Sequence, residues 1–164
     1  AWAKAKATWG EKPVRVAWEY AAVKAAQEAA ILPAQLLAHV TIESLPSWNP
    51  SSVRVERRLD GTAWSASMGL TQVLWPGTAG DFLPRAGYPV TMDNLFTPAI
   101  NLKTADLVLA SLNKSFGGNL RLAASAYNQG AGNVRKQIQA GVPLKNQEYV
   151  DKWEMNFKKE GGIF

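Results

Sequence analysis

One carboxylate stands on the otherwise apolar face of a predicted helix, in the stretch "LLAHVTIESLPSWNP" at residues 36–50. Leu36, Val40 and Glu43 follow the i, i+4, i+7 spacing of one helical face, and Pro33 and Pro46 suit the first turn and the end of that helix. Burial and the negative end of the helix dipole both disfavour the charged form, so we expect a raised pKa for the Glu43 carboxyl. A carboxylic acid that stays protonated near neutral pH can serve as the general acid of glycoside cleavage. The spacing leaves a second interpretation open, in which Glu43 lies on the surface at a fraying helix end or pairs with a nearby cation.

Most glycosidases use two carboxyl groups, and the sequence offers no clear second one. The remaining candidates stand in loop-like contexts without an apolar face, so we expect them to be solvated: Glu56, Asp60, Asp81 and Asp93. His39 lies one turn before Glu43 and could tune its pKa. The sequence favours a structural role for His39, either facing solvent or held by a hydrogen bond.

The elements that must position Glu43 are mostly helical. Alanine-rich composition or helical spacing predicts helices over residues 14–30, 33–45, 102–116, 119–127, 133–140 and 147–159. Gly117 and Gly118 end the strongly amphipathic helix at 102–116, and Asn119 caps the next helix. Residues 51–66 indicate a hairpin or ordered loop, residues 67–82 a loop leading to a short helix, and residues 83–98 a surface loop. The predicted fold class is mainly α with a minor β-hairpin or ordered loop.

Composition narrows the possible functions. The chain has 164 residues, 47% of them hydrophobic, which fits a single domain over residues 1–164 with an N-terminal helical segment at 1–30. It has no Cys and one His, so thiolate and multi-imidazole centres are excluded, and we expect no metal and no cofactor. The net charge of +5 favours anionic partners such as nucleic acid, anionic lipid or cell-wall polymer.

Two of those partners are disfavoured by the sequence. No helix dense in Lys and Arg and no nucleic-acid-binding motif is present, so we expect no nucleic-acid partner. No apolar run reaches the roughly 20 residues that span a bilayer, so we expect no membrane insertion. The chain begins at Ala1 rather than Met and shows no signal segment, and we expect a trimmed or excised domain.

Three blocks in order carry a family resemblance. Glu43-Ser44 with Trp48-Asn49-Pro50, then "SMGLTQVLWPGTA", then "LAASAYNQGAGNV", resemble the three motifs of the soluble, goose-lysozyme-like lytic transglycosylases. Glu148-Tyr149-Val150 is similar to the terminal Tyr-Val block of that family, and the resemblance covers about residues 31–150. It implies a lysozyme-like fold. Thr71 stands where the family usually has Met, and Ala105 and Val108 replace its usual Gly and Tyr.

The resemblance also implies roles for single residues. Glu43 would be the sole catalytic acid and base, and Ser44 would hold acyl or hydroxymethyl groups of the substrate. Four further residues would line or close the sugar groove: Thr71 through its backbone, Gln72, Tyr127 and Asn128. Each has a structural alternative, because Ser44 can bond its own helix backbone, Gln72 can be a solvated loop residue, Tyr127 a core aromatic and Asn128 a helix-ending residue.

The activity that the resemblance implies is cleavage of peptidoglycan glycan strands between N-acetylmuramic acid and N-acetylglucosamine without hydrolysis. With one acid, the substrate's own acetamido group would supply the nucleophile, and the product would be a 1,6-anhydro sugar. The chain would act in the bacterial periplasm or cell envelope or in a phage virion, and could be part of a larger protein or assembly. The alternatives are a hydrolytic lysozyme, a non-catalytic wall-binding or structural domain, and a nucleic-acid-binding helical domain. Arg54, Arg57 and Arg58 would either face anionic wall groups or form a solvated surface.

Overall fold

A computed structural model describes residues 11–44 and 48–163, which form helices around a small antiparallel sheet. The helices are α1 Glu11–Glu28, α2 Pro33–Ser44, α3 Gly77–Phe82, α4 Met92–Phe96, α5 Pro98–Ser115, α6 Leu120–Gln129, α7 Ala131–Gln139 and α8 Gln147–Lys159. The strands are β1 Val53–Arg57, β2 Ala63–Met68 and β3 Val73–Trp75. The mainly α fold class with a minor β element is confirmed. Residues 1–10 of the predicted N-terminal helical segment, and Pro46, lie outside the described residues.

Helix α2 runs through the centre of the helical part. Every residue from Ala34 to Val40 is buried, because α1, α5 and α8 all pack against α2. The covered surface therefore extends beyond one apolar stripe and includes Gln35 and His39. The Gln35 amide satisfies its polar atoms through two 2.9 Å hydrogen bonds with the Asn113 amide of α5.

Helix α5 confirms the amphipathic segment that its sequence predicts. Leu102, Ala105 and Leu109 are fully buried on one face and pack with residues of α1 and α2. The helix ends before Gly117 and Gly118, whose φ values of 59° and 82° favour glycine. Asn119 then caps α6, because its side-chain oxygen accepts a 3.1 Å hydrogen bond from the Leu122 backbone N–H.

The three strands pair in the order β1-β2-β3, with both pairs antiparallel. The predicted hairpin is confirmed by β1 and β2, whose register places Val53 opposite Met68. Two loop predictions are wrong. Residues 73–75 form β3, which is too short for a period-2 pattern to reveal, and residues 92–96 form α4, which Thr91 caps by accepting from the Asn94 N–H.

Buried side chains join the sheet to the helices. Met68 of β2 and Val73 of β3 pack with Leu83 and with Leu95 of α4 in one cluster. A second cluster joins α2 to α6 and α8 through Ala38, Ala124 and Trp153. Within the part of the chain that the structure describes, no helix combines the length and apolar character that a membrane span needs.

Candidate active site

A groove of about 630 Å³ lies between the sheet and helices α5, α6 and α7. Four of the six residues that the sequence predicts for a site line it together: Glu43, Gln72, Tyr127 and Asn128. They come from the end of α2, the β2–β3 turn and the end of α6, three parts of the chain that are far apart in sequence. The volume is in the range of pockets that hold small ligands.

Glu43 lies in the last turn of α2 and is partly buried at the groove wall. Burial raises the pKa of its carboxyl above the ordinary value, as its place on an apolar face predicts. A hydrogen bond from Tyr149 and the positive charge of Arg54 act in the opposite direction, and the negative charge of Glu56 adds to the rise. The net direction favours the protonated acid.

Tyr149 of α8 contacts the Glu43 carboxyl directly. Its hydroxyl donates to Glu43 Oε1 over 2.6 Å, and burial raises the pKa of Tyr149 well above its ordinary value, so that the hydroxyl keeps its proton. The family resemblance places Tyr149 in a terminal block but implies no role for it. That Tyr-Val block is the only sequence signal for this contact, because the spacing of α8 residues says nothing about which helix α8 packs against.

The turn between β2 and β3 presents Gln72 to the groove in a left-handed conformation with φ 49°. This conformation is unfavourable for a residue with a side chain. The Gln72 amide stabilises it by donating to the carbonyls of Gly69 at 2.9 Å and Ser52 at 3.2 Å. Gln72 is therefore a positioned residue rather than a solvated one, with its amide nitrogen directed at the backbone.

The side chain of Asn101 on α5 holds the β2–β3 turn in place, a role that the sequence did not predict. Its side-chain oxygen accepts from the Thr71 backbone N–H at 3.0 Å and from the Thr71 hydroxyl at 2.7 Å. Its amide nitrogen donates to the carbonyls of Met68 and Leu95 at 3.1 and 3.0 Å. The Tyr127 hydroxyl adds a 2.8 Å hydrogen bond to the Thr71 carbonyl. The turn is thus connected to α4, α5 and α6.

Ser44 and Thr71 do not line the groove. The Ser44 side chain is buried and its hydroxyl donates to the Val40 carbonyl at 2.7 Å, which is the structural alternative for this residue. The Thr71 side chain is fully buried and its hydroxyl donates to Asn101. Neither residue is among those that line the groove, and both hydroxyls are used in hydrogen bonds within the protein.

Asn128 closes the end of α6 at the groove. Its side-chain oxygen accepts a 2.9 Å hydrogen bond from the Asn146 amide, which also donates to the Ser125 carbonyl. Gln129 joins the same network by donating to Asn146 at 2.8 Å. Among the described residues the Asn128 amide nitrogen has no hydrogen-bond partner, so it can donate to a ligand.

Glu56 differs from its expected place in a solvated loop. It lies on β1, is partly buried and lines the same groove as Glu43. Its Oε1 accepts from the Ser67 hydroxyl at 2.7 Å and from Arg54 Nε at 3.0 Å. Burial acts to raise the pKa of Glu56, but these hydrogen bonds and the Arg54 charge outweigh it and hold the pKa below the ordinary value. The groove therefore holds one carboxyl that favours its proton and one that favours ionisation.

Comparison with known proteins identifies the family of this chain. The family described as "Transglycosylase SLT domain" matches residues 21–150, more than three quarters of the chain. The chain belongs to the transglycosylase SLT domain family. The match contains every residue that lines the groove, and also Tyr149, which contacts Glu43 from behind the groove wall.

A solved structure supports the fold of this SLT domain. It is the lytic transglycosylase Slt from Pseudomonas aeruginosa, crystallised as an inactive Glu-to-Gln mutant, with a TM-score of 0.59 and 25% sequence identity. The similarity covers 91% of this chain and 22% of that one. The chain thus corresponds to about a fifth of the length of the Pseudomonas protein.

The side chains of the SLT domain also bear on metal binding. Among the residues that the structure describes, no three His, Asp or Glu side chains are grouped closely enough to hold a metal ion. The polar side-chain groups that line the groove are carboxyls, hydroxyls, amides, guanidinium groups and the Trp64 indole.

Proposed function

We propose that this SLT domain cleaves peptidoglycan glycan strands at the β-1,4 bond between N-acetylmuramic acid and N-acetylglucosamine without hydrolysis, with Glu43 as the sole acid and base. The observation that carries the proposal is the Glu43 carboxyl itself. It lies in a groove beside Tyr127 and Gln72, burial raises its pKa, and one of its oxygens is held by Tyr149. A protonated carboxylic acid fixed at a groove wall is the group that protonates a leaving glycosidic oxygen.

The first step is acid-catalysed bond cleavage. Glu43 transfers its proton to the glycosidic oxygen while the bond from that oxygen to C1 of N-acetylmuramic acid breaks. The carbonyl oxygen of the 2-acetamido group of the same sugar bonds to C1 and forms an oxazolinium-like species. The substrate thus supplies the nucleophile that a second enzyme carboxylate provides in other glycosidases.

The second step returns the proton to Glu43. Its carboxylate removes the proton of the sugar's 6-hydroxyl, O6 bonds to C1, and the bond from the acetamido oxygen to C1 breaks. The product is a 1,6-anhydro end, no water is consumed, and Glu43 is again protonated. Attack by a hydroxyl of the same sugar is favoured by proximity over attack by a free water molecule.

The other groove residues bind the sugar in this proposal. Asn128 donates through its amide hydrogens, and Gln72 and Tyr127 form the wall beside Glu43. Ser44 and Thr71 act on the substrate indirectly, by holding the backbone at the end of α2 and in the β2–β3 turn.

Mass spectrometry of digested, purified peptidoglycan tests the proposal. We expect muropeptides with 1,6-anhydro-N-acetylmuramic acid ends and no incorporation of labelled oxygen when the digestion is run in H₂¹⁸O. Reducing ends that carry one added, labelled water would contradict the non-hydrolytic reaction and support a lysozyme. A chain that binds the wall without releasing muropeptides would instead support the non-catalytic alternative.

A second candidate, hydrolysis, is favoured by the position of Glu56. The groove holds two carboxyls whose pKa values are displaced in opposite directions, Glu43 upward and Glu56 downward. This pattern is typical of an acid and base pair. In this candidate Glu56 activates a water that attacks C1. Replacing Glu56 by Gln would then reduce the labelled, hydrated ends and leave anhydro ends unchanged. If Glu56→Gln leaves the ratio of the two products as in the wild type, Glu56 takes no part in water activation.

We further propose that the domain acts on the wall outside the cytoplasm, in the bacterial envelope or from a phage virion, within a larger protein or assembly. Two arginines of the β1–β2 hairpin would attract anionic wall groups. Arg54 lines the groove, and Arg58 is exposed in the hairpin turn. Wall binding that weakens steeply as salt is added supports this electrostatic attraction, since exposed charges are screened within about 10 Å at 0.1 M salt.

A further inference from the structure

Three side chains, one fully buried and two partly buried, form a continuous line of hydrogen bonds that ends at the groove. Glu43 Oε1 lies 2.6 Å from the Tyr149 hydroxyl, and that hydroxyl lies 3.2 Å from His39 Nδ1. His39 and Glu43 are one turn apart on α2, and Tyr149 reaches both from α8. The sequence allows His39 to tune the Glu43 pKa but favours a structural role, and the family resemblance implies no function for it.

The charge state of His39 follows from its surroundings. The side chain is fully buried, and its ring packs between those of Tyr127 and Trp153 at centroid distances of 4.6 and 5.7 Å. Burial lowers the pKa of His39 to about 3, and no charged group of the described residues opposes that change. The imidazole is therefore neutral near pH 7 and carries a single N–H.

The position of that N–H follows from the hydrogen bonds. The Tyr149 hydroxyl has one proton and can donate only one hydrogen bond. When Glu43 is ionised, the hydroxyl donates to Glu43, because a hydrogen bond to a carboxylate is stronger than one to an imidazole. The Tyr149 oxygen must then accept from His39 Nδ1–H. His39 Nε2 is buried without a hydrogen-bond partner among the described residues. An Nε2–H there would be an unpaired donor, which is rarer in proteins than an unpaired acceptor.

We propose that His39 is a positioning residue whose Nδ1–H donates to Tyr149 and thereby commits the Tyr149 proton to Glu43 Oε1, leaving Oε2 to carry the catalytic proton. The inference rests on the proposed role of Glu43. In this arrangement the proton of the acid lies on the oxygen that Tyr149 does not occupy. His39 does not itself take the proton, since burial keeps its pKa far below neutral.

The other charged and titratable groups that act on Glu43 and Tyr149 belong to the sheet and to α6. Arg54 and Glu56 of β1 act on Glu43 with opposite signs. Tyr127 and Arg54 act on Tyr149, also with opposite signs. The pKa of the Glu43 carboxyl is therefore sensitive to the Tyr149 hydrogen bond, and the strength of that bond depends on the donor behind it.

Nuclear magnetic resonance of the imidazole nitrogens tests the tautomer without any measurement of activity. The chain has a single His, so ¹⁵N-histidine labelling gives one unambiguous spin system. We expect a neutral Nδ1–H tautomer that does not titrate between about pH 5 and 8, and a loss of this tautomer preference in Tyr149→Phe. A neutral Nε2–H tautomer or an imidazolium in the wild type would overturn the proposal.

Variant kinetics test the consequence for Glu43. His39→Leu removes the donor, so the Tyr149 hydrogen bond weakens, the Glu43 pKa rises, and the alkaline limb of the pH–rate profile moves to higher pH with roughly tenfold slower cleavage. His39→Asn keeps an N–H close to the Nδ1 position and should restore the wild-type limb. A purely structural role would lower the melting temperature of both variants without moving the limb.

A double variant separates the proposed effect of His39 through Tyr149 from its other effects. In the Tyr149→Phe background the link is already broken, so adding His39→Leu should move the limb no further. An equal additional shift would overturn the proposal, as would a folded His39→Leu protein with an unmoved limb. If the wild type cleaves no peptidoglycan, the proposed function fails, and the tautomer measurement still decides whether the chain of hydrogen bonds exists.

Discussion

The hydroxyl of Tyr149 donates to Glu43 Oε1 over 2.6 Å across a sequence separation of 106 residues. This contact joins the end of α2 to α8 at the groove and opposes the effect of burial on the Glu43 pKa. Because the hydroxyl stabilises the ionised carboxylate, it limits how tightly Glu43 holds its proton. A general acid that must also act as a base needs that balance.

Replacing Tyr149 by Phe should raise the pKa of Glu43, since the hydrogen bond that favours its ionised form is lost. Activity that depends on protonated Glu43 persists from low pH until the pH passes its pKa, so the alkaline limb of the pH–rate profile should move to higher pH. Cleavage near neutral pH should slow roughly tenfold as the carboxyl loses its fixed orientation. The limb is measured from initial rates of wall clearing across the pH range.

Tyr127→Phe is the matched control for that experiment. The Tyr127 hydroxyl donates to the Thr71 carbonyl and not to Glu43. Its loss should cost about 1 kcal/mol of unfolding free energy and leave the position of the alkaline limb unchanged. Equal displacement of the limb by both variants would show that Tyr149 has no special effect on Glu43.

The β2–β3 turn should not tolerate a side chain at residue 69. Gly69 has φ 80°, and an added Cβ would overlap the Asn101 amide and the Leu95 carbonyl. Gly69→Ala should therefore lower the free energy of unfolding by on the order of 3 kcal/mol and displace Gln72 from the groove wall. Thermal denaturation and cleavage rates both measure the effect.

Gly61→Ala provides the comparison for Gly69→Ala. Gly61 has a similar φ of 82°, but an added Cβ there meets no atom within 4 Å. It should cost only about 1–2 kcal/mol, the strain of the left-handed backbone alone. Equal losses of stability in the two alanine variants, with full activity in Gly69→Ala, would show that the close contacts at Gly69 do not shape the turn.

The sequence predicts those structural features that depend on interactions between residues close together in the chain. The spacing of Leu102, Ala105 and Leu109 predicts a buried helical face, and all three are fully buried in α5. Asn119 and Gly117 mark helix boundaries because capping depends only on neighbouring residues. Such local signals predict the longer helices and the β1–β2 hairpin.

The site depends on contacts that no local pattern contains. The Asn101 hydrogen bonds with Thr71 cross 30 residues, and their effect is to turn Thr71 away from the groove. His39 is fully buried rather than facing solvent, because Tyr127 of α6 and Trp153 of α8 pack against its ring. The pairing of the helices decides these positions, and helical spacing does not report that pairing.

Asp106 gives a prediction for stability against pH. Its side chain is fully buried on α5, and neither carboxyl oxygen has a hydrogen-bond partner among the described residues. Burial, together with repulsion from Glu28, raises the pKa of Asp106 to about 8. The folded chain therefore keeps a proton that the unfolded chain releases near pH 4, and stability is lost as the pH rises from about 4 to 8, by up to about 1.4 kcal/mol per pH unit.

Asp106→Asn removes this titration with little change in shape. The gain in melting temperature over the wild type should be small near pH 5 and grow steadily to pH 8. His39 contributes in the opposite direction below its unfolded pKa, but it does so equally in both proteins and cancels in the difference. A difference in melting temperature that stays constant with pH would contradict a raised pKa for Asp106.

The most direct test of the proposed function is the rate of glycan cleavage by Glu43→Gln, measured as release of soluble muropeptides from purified peptidoglycan. The variant keeps the size of the side chain and loses the transferable proton, so we predict a fall of at least about a hundredfold with the fold and wall binding retained. Glu148→Gln is the control, because Glu148 is exposed on α8 and pairs only with Lys152 among the described residues, and it should cleave at the wild-type rate. A folded Glu43→Gln protein that releases muropeptides within about twofold of the wild-type rate would contradict the central claim that Glu43 is the acid and base.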